Sequence, residues 1–282
     1  MPGMGSPTVR RREFGVRVRA LRNKRGWTVD YVASRLLCSP SKVSRLETGH
    51  RGASARDVRD LCTLYEVGEA ELELLTELAQ RGKERAWWLP LNLPYSTYVG
   101  LEADAALIRD YGVGMVPGLL QTADYARAVV QAAGWAPPRV DQWVKGRMAR
   151  QRILAEPGGP RFEAMIDESV LHRVVGSPAV MAAQLARLLE ASEQDRIGLQ
   201  VIPYDAGALP AVNKFIILSF AAATVPDVVM IEGLTAELFV ENADDVKVYV
   251  STFRALSELA ATAERSRAMI ASIIAAYRSR SD

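Results

Sequence analysis

Asp167, Ser169 and His172 set a carboxylate, a hydroxyl and an imidazole within one short stretch, the three groups of a hydrolytic triad. Their spacing argues against that chemistry. A nucleophile, its base and the group that orients the base converge from different elements, whereas these three share one turn. Asp167 reads instead as the N-cap of a helix over Val170–Val175. Glu102, Asp104, Glu163 and Glu168 are carboxylates without a partner pattern. No Gly-x-Ser-x-Gly, phosphate-binding loop or dinucleotide fingerprint occurs. Two histidines, His50 and His172, and two cysteines, Cys38 and Cys62, do not make a multi-ligand metal site. Neither catalysis nor a cofactor nor a metal is expected. The cysteines read as small apolar packing residues of a reducing compartment rather than as a redox pair.

The residues whose chemistry is clearest lie in Ser39–Gly49, SPSKVSRLETG. With Val43 and Leu46 turned into a core, Ser41, Lys42, Ser44 and Arg45 face outward along one short helix. That is chemistry for base edges in a major groove. Arg45 suits a bidentate contact to guanine, Ser41 either type of pair, and Lys42 a base or, more readily, a phosphate. Thr28 and Ser39 stand at helix N-termini, whose free N–H groups favour a phosphate oxygen. Arg12 and Arg51 are further candidates for phosphate.

Short helices must position these groups. Phe14, Val18 and Leu21 recur at helical spacing, and Gly26 ends that helix. Thr28 caps a second helix carrying Val32, Ala33 and Leu36. Ser39-Pro40 opens the third, with proline at the first helical position, where a missing N–H costs nothing. Ser54 caps a fourth, with Val58, Leu61, Cys62 and Tyr65 on its apolar side. Leu72, Leu75 and Leu78 mark a fifth, ending near Gly82. Two helices joined by a tight turn, the second polar outside, make a helix-turn-helix.

The 282 residues carry 35 basic and 33 acidic side chains, a balance that hides an asymmetry. Residues 1–60 hold 14 basic and 5 acidic groups, a surplus of nine, so the remaining 222 residues hold 21 and 28. A basic head on an acidic body seeks polyanions with the head. We expect a flexible basic arm over 1–12, a helix-turn-helix domain over 13–82, a linker over 83–96 and a C-terminal domain over 97–282. Pro90 and Pro94 forbid a continuous helix through the linker, and Trp87 and Trp88 dock it onto a core. Neither a secretory leader nor a membrane span is expected, which places the protein in the cytoplasm, on the nucleoid.

The C-terminal part shows helical spacing over 100–111, 122–134, 139–155, 178–194, 242–260 and 263–279. Between these lie strand-like runs: Phe162–Ile166, Gly198–Ile202, Phe215–Phe220, Val228–Glu232 and Glu237–Val240. The whole is expected to be mainly α with a smaller α+β part: five helices first, then an α+β domain with a small sheet. Val116-Pro117-Gly118 predicts a type II turn before a helix capped by Thr122. Pro117, Gly118 and Gln121 with Arg147 and Arg150 form a candidate lip for a ligand or partner, but a structural turn and pairing of the arginines with local carboxylates are the preferred readings.

From Phe14 to Leu64 the chain resembles the lambda-repressor-like helix-turn-helix of the XRE family. The resemblance is carried by Arg17–Arg22, Gly26-Trp27-Thr28, Val32-Ala33 and the Ser-Arg-Leu-Glu-x-Gly that ends at Gly49. It implies a structural pair between Arg22 and Glu47. Two positions depart from the family: Val29 stands where a phosphate-touching Gln is common, and Leu37 where the turn usually has Gly. A non-glycine residue in a left-handed turn costs about 1–2 kcal/mol.

From about Trp87 to Tyr277, the strings WWLP, YVGLEADA, MVPGLLQTADYARAVV, GRMARQRIL, DESVLHRVVGS, AAQLARLLE and LQVIPYDAG resemble the C-terminal, antitoxin-like domain of WhiJ-like regulators of actinomycetes. That resemblance implies a transcriptional regulator, a small partner protein encoded nearby, and no catalytic residues. The partners expected are therefore double-stranded DNA, a second copy of the chain and such a small protein. Helices over 246–260 and 263–279 offer Phe253, Leu256, Leu259, Met269, Ile270, Ile273 and Tyr277 either to a dimer or, preferably, to the chain's own core. An alternative is an interaction protein that sequesters its small neighbour, with DNA binding serving autoregulation.

Overall fold

A computed structural model of the protein describes residues 6–91, 93, 95–233 and 236–279, and the chain divides into two compact units. The first comprises Met1–Asn92, Ser96–Asp104 and Phe220–Pro226.

Helix α1 (Pro7–Lys24) begins where the Ser6 side chain accepts the Thr8 N–H and Pro7 fills the first turn. Residues 7–12, expected in a flexible arm, are thus helical; Val9 and Arg12 are buried, at 2% and 8% exposure. Charge alone suggests an arm, but Ser-Pro is a helix start and Val9 supplies an apolar anchor. Residues 1–5 lie outside the described residues. Four further helices follow: α2 (Val29–Arg35), α3 (Pro40–Glu47), α4 (Ala55–Leu64) and α5 (Glu69–Arg81). Thr28, Ser39 and Ser54 cap α2, α3 and α4 by accepting a backbone N–H. Phe14, Val18, Val32, Val43, Leu46, Val58, Leu61, Tyr65 and Leu75 close into one core.

Pro90 lies in a 3-10 turn (Leu89–Leu91), and α6 (Ser96–Glu102) follows. Trp88 is 4% exposed and Trp87 43%. Helix α6, read from sequence as part of the C-terminal domain, belongs to the first unit. Gly100 permits this. A Cβ there would meet Thr8 Oγ1 at 2.3 Å and Trp88 at 2.9 Å.

The second unit is built on a mixed sheet ordered β3-β2-β1-β4-β5-β6. Its strands are β1 (Leu107–Gly112), β2 (Arg161–Asp167), β3 (Ile197–Ile202), β4 (Phe215–Ser219), β5 (Val228–Glu232) and β6 (Glu237–Val240). β1, β2 and β3 run parallel, and β4 to β6 continue antiparallel from β1. The expectation of a helix over 100–111 fails at β1. This strand is central, so both its faces are covered, and Ile108 and Tyr111 are 0% exposed. A strand buried on both sides loses the alternation that marks a strand, and Leu107, Ile108 and Tyr111 imitate a helical period.

Helices α7 (Ala123–Ala132), α8 (Pro137–Arg150), α9 (Ser169–His172), α10 (Pro178–Ser192), α11 (Ala243–Leu259) and α12 (Ala263–Arg278) surround the sheet. Val246, Phe253 and Leu256 of α11 pack into one core with Tyr111, Met165, Ile202, Phe215, Ile217 and Val229. α12 packs on α10 and β3, and Ser266 accepts the Val201 N–H at 3.0 Å. Of the apolar residues of α11 and α12 weighed for a dimer, Phe253, Leu256, Ile270 and Tyr277 are buried within the unit, and Leu259, Met269 and Ile273 are half-buried.

Between α2 and α3, Leu37 has φ +51 and is 94% exposed. It bears the left-handed strain and gains no burial in return. Leu37→Gly is expected to stabilise the first unit by about 1 kcal/mol, the backbone penalty less the chain entropy glycine adds to the unfolded state. Urea unfolding checks this; a lower midpoint for the variant would show that Leu37 is not strained.

Candidate nucleic-acid interface

Helix α3 turns Val43 and Leu46 into the core, at 1% and 2% exposure, and leaves Ser41, Ser44 and Arg45 exposed. Lys42 is placed differently from a free reader of bases. It is half-buried, and its ammonium pairs with Asp57 at 2.5 Å. Asp57 is the N3 residue of α4 and forms a capping box with Ser54. Burial alone would raise the Asp57 carboxyl. Lys42 and the Ser54 N–H and hydroxyl outweigh burial and hold it below the usual carboxylate range. Ser54-x-x-Asp57 is legible as a capping box, but its second role as the partner of Lys42 depends on how α4 crosses α3.

Around α3 stand the residues read as phosphate contacts. Thr28 and Ser39 are exposed, and each side-chain oxygen accepts a backbone N–H, at 3.1 and 3.2 Å. Accepting leaves each hydroxyl hydrogen to donate outward. Arg51 is exposed, and its N–H donates to the Arg45 carbonyl at 3.0 Å. Arg12 is not such a contact. It is buried against the backbone of Gly49, where a Cβ would meet Arg12 atoms at 2.8–2.9 Å.

The C-terminal end of α3 rests on α1. Gly15 makes this approach possible, because a Cβ there would lie 2.4 Å from the Glu47 carbonyl oxygen and 2.6 Å from that of Leu46. Glu47, 5% exposed, accepts two hydrogen bonds from Arg22, Nε at 2.7 Å and Nη2 at 2.8 Å. The third nitrogen, Nη1, donates to the Trp27 carbonyl at 2.8 Å. One planar guanidinium thus ties α1, the turn after it and α3 together. Arg25 donates to the Tyr65 carbonyl and covers the rings of Trp27 and Tyr65 at 5.5 and 5.8 Å. The role of Gly15 carries no signal in the sequence, where it is an isolated glycine inside a helix.

In the second unit, the segment weighed as either a lip or a structural turn is an internal support. Pro117 and Gln121 are buried and Gly118 half-buried. Gly118 lacks the positive φ of a type II turn, and Gly118–Leu120 continues as a 3-10 turn. Gln121 donates to the Val116 carbonyl at 2.7 Å and accepts from Arg147 at 2.6 Å. Gln184 accepts the Thr122 N–H and donates to the Leu120 carbonyl, at 2.7 and 2.8 Å. A buried loop must satisfy its backbone groups, and these glutamines do so. The hydroxyl of Ser169 donates to Asp167, and His172 Nε2 faces Glu168 at 3.3 Å, so the three triad-like groups do not converge. Among the described residues no group of three His, Cys, Asp or Glu side chains could hold a metal ion. No described helix is long and apolar enough to cross a membrane.

An exposed polar helix locked behind a second helix by a tight turn defines the helix-turn-helix class, whose members are DNA-binding regulators. Residues 13–75 match a family described as helix-turn-helix domain, and residues 95–272 match a family described as domain of unknown function, DUF5753. The second match spans more than half of the chain, so the chain belongs to the DUF5753 family. Neither a curated protein nor a solved structure matches it.

Glu47→Ala is expected to destabilise the first unit by about 3 kcal/mol, because it leaves the Arg22 guanidinium half-buried without its carboxylate. A urea midpoint equal to that of the unmodified protein would remove Glu47 from the support of α3. A second measurement concerns Glu237. Burial, and then repulsion by Glu232, push its carboxyl up to about 7. A carboxyl raised in the folded state stabilises most below its unfolded value, and that contribution is lost as pH rises through about 7. Glu237→Gln should therefore raise the melting temperature at about pH 8 more than at about pH 5. An equal shift at both would show that Glu237 ionises normally.

Proposed function

We propose that the protein is a sequence-specific, DNA-binding transcriptional regulator. The observation that carries this reading is the outer face of α3. Ser41, Ser44 and Arg45 are exposed together while the opposite side of the same helix is held in the core. Ser41 and Ser44 offer hydroxyls that donate or accept, and Arg45 offers the fork that fits guanine O6 and N7. Thr28, Ser39 and Arg51 supply phosphate contacts around them. Lys42, tethered to Asp57, adds positive charge beside the groove more than it reads a base. The nine-charge surplus of residues 1–60 favours a polyanion at this end of the chain.

The resemblance to XRE-type heads and to WhiJ-like regulators extends this reading to a homodimer, each copy placing α3 on one half-site about one helical turn from the other. The second unit then acts as the regulatory part, sensing a ligand or a small neighbouring protein.

Arg45→Ala is expected to cost about 1–3 kcal/mol at the cognate site and to relax specificity at one base pair. Footprinting and competition binding with genomic fragments test it. Unchanged affinity and an unchanged footprint would take Arg45 out of base reading. Purely nonspecific, salt-sensitive binding of the unmodified protein would overturn the regulator reading as a whole.

A further inference from the structure

A second group of charges in the first unit has no part in holding α3. Residues 81–85, Arg-Gly-Lys-Glu-Arg, close α5 and turn back on it. The Lys83 N–H donates to the Gln80 carbonyl at 3.0 Å and the Glu84 N–H to that of Arg81 at 3.2 Å. The backbone of the turn is thus fixed on the end of the helix. Arg81 is taken by Glu77 at 2.7 Å. Lys83 and Arg85 are exposed, and no ion pair engages either of them among the described residues.

This turn lies beside the loop that leaves α3. A Cβ on Gly52 would meet the Gly82 carbonyl oxygen at 3.9 Å and Arg11 Cδ at 3.5 Å. One on Gly82 would meet Arg11 Cγ at 2.9 Å. The stem of Arg11 therefore runs past two glycines, and its Nε donates to the Pro7 carbonyl at 3.1 Å. Arg51 precedes Gly52, and Lys83 follows Gly82. Arg51 is exposed and likewise engaged in no ion pair among the described residues. Glu84 is the one acid of residues 49–52 and 81–85. Cations gathered in this way set up a local positive field, and such a field draws a polyanion. A cation near a helix C-terminus also meets the helix dipole, but that role needs no partner.

We propose that the turn after α5 is a second phosphate-contact surface. Lys83 and Arg85 continue the track that starts at Arg51 and hold the DNA backbone that flanks the bases read by α3. The proposal deepens the DNA-binding reading above and rests on it.

The salt dependence of binding tests it, because each phosphate contact adds about 0.9 to the slope of log Kobs against log salt. The full chain is titrated onto a genomic fragment protected in footprinting and onto a scrambled duplex, between about 0.05 and 0.3 M salt. Lys83→Gln/Arg85→Gln should make the slope shallower by about 2 and weaken binding about tenfold at the lowest salt. Both duplexes should lose equally, whereas Arg45→Ala changes the ratio between them. Lys83→Arg/Arg85→Lys should keep the slope. So should Lys247→Gln/Arg254→Gln, which removes the same charge from exposed positions of α11. An unchanged slope in the glutamine variant, or an equal loss in the α11 variant, would overturn the track. A lower urea midpoint with an unmoved slope would do the same and leave only the dipole role. Where the double variant misfolds, Lys83→Gln and Arg85→Gln singly decide, each taking about 1 off the slope. Equal affinity of the unmodified protein for both duplexes, with a slope that still falls in the variant, keeps the track and removes sequence-specific reading. Specific binding with an unmoved slope keeps the regulator and removes the track.

Discussion

Glu47 carries a carboxylate into the interior of the first unit, and Arg22 meets it with two parallel hydrogen bonds of 2.7 and 2.8 Å. Burying either charge alone would be costly, so each holds the other in place. The remaining nitrogen of Arg22 binds the Trp27 carbonyl in the loop that leads into α2. The same end of α3 sits on Gly15, where only a residue without a side chain allows the approach. The C-terminal end of α3 is thus held by one ion pair and one missing methyl group.

The other end of α3 is held by different chemistry. Ser39 caps its first turn, and Lys42 is drawn to Asp57, which also caps α4. Between these two anchorages Ser41, Ser44 and Arg45 have no role in the core and project from a rigid base. Such an arrangement suits recognition, because groups fixed in advance lose less freedom on binding. The tether also removes Lys42 from free reach, leaving Arg45 the one exposed cation on α3.

The second unit obeys another constraint. Its sheet changes from parallel to antiparallel pairing at β1, and the helices and loops around it contain buried polar groups that must be satisfied from within. Gln121, Gln184 and Arg147 do this for the loop 116–122. Arg147 therefore serves two sides at once. It supports the loop, and it lines a cleft beside Trp143 and Tyr95.

How much of this was legible depends on the range of the interaction. The helices of the first unit are announced by local chemistry: Ser39-Pro40 at a helix start, Thr28 and Ser54 as caps, Gly26 and Gly49 with positive φ at helix ends. Strands β2 to β6 show in the same way, because their apolar runs are bounded by turn residues. The central strand β1 does not, since Arg109 and Asp110 interrupt its apolar run, and nothing local announces the approach of Gly100 to Thr8 that joins α6 to the first unit. The candidate site divides along the same line. The outward residues of α3 follow from a helical repeat, whereas the burial of Arg12, the capture of Lys42 by Asp57 and the seat at Gly15 do not. By itself the sequence determined where helices start, stop and turn an apolar side inward, because those choices are settled within a few residues. Only the tertiary structure decided which charges are paired and which side chains share a cleft, because those contacts join groups distant along the chain.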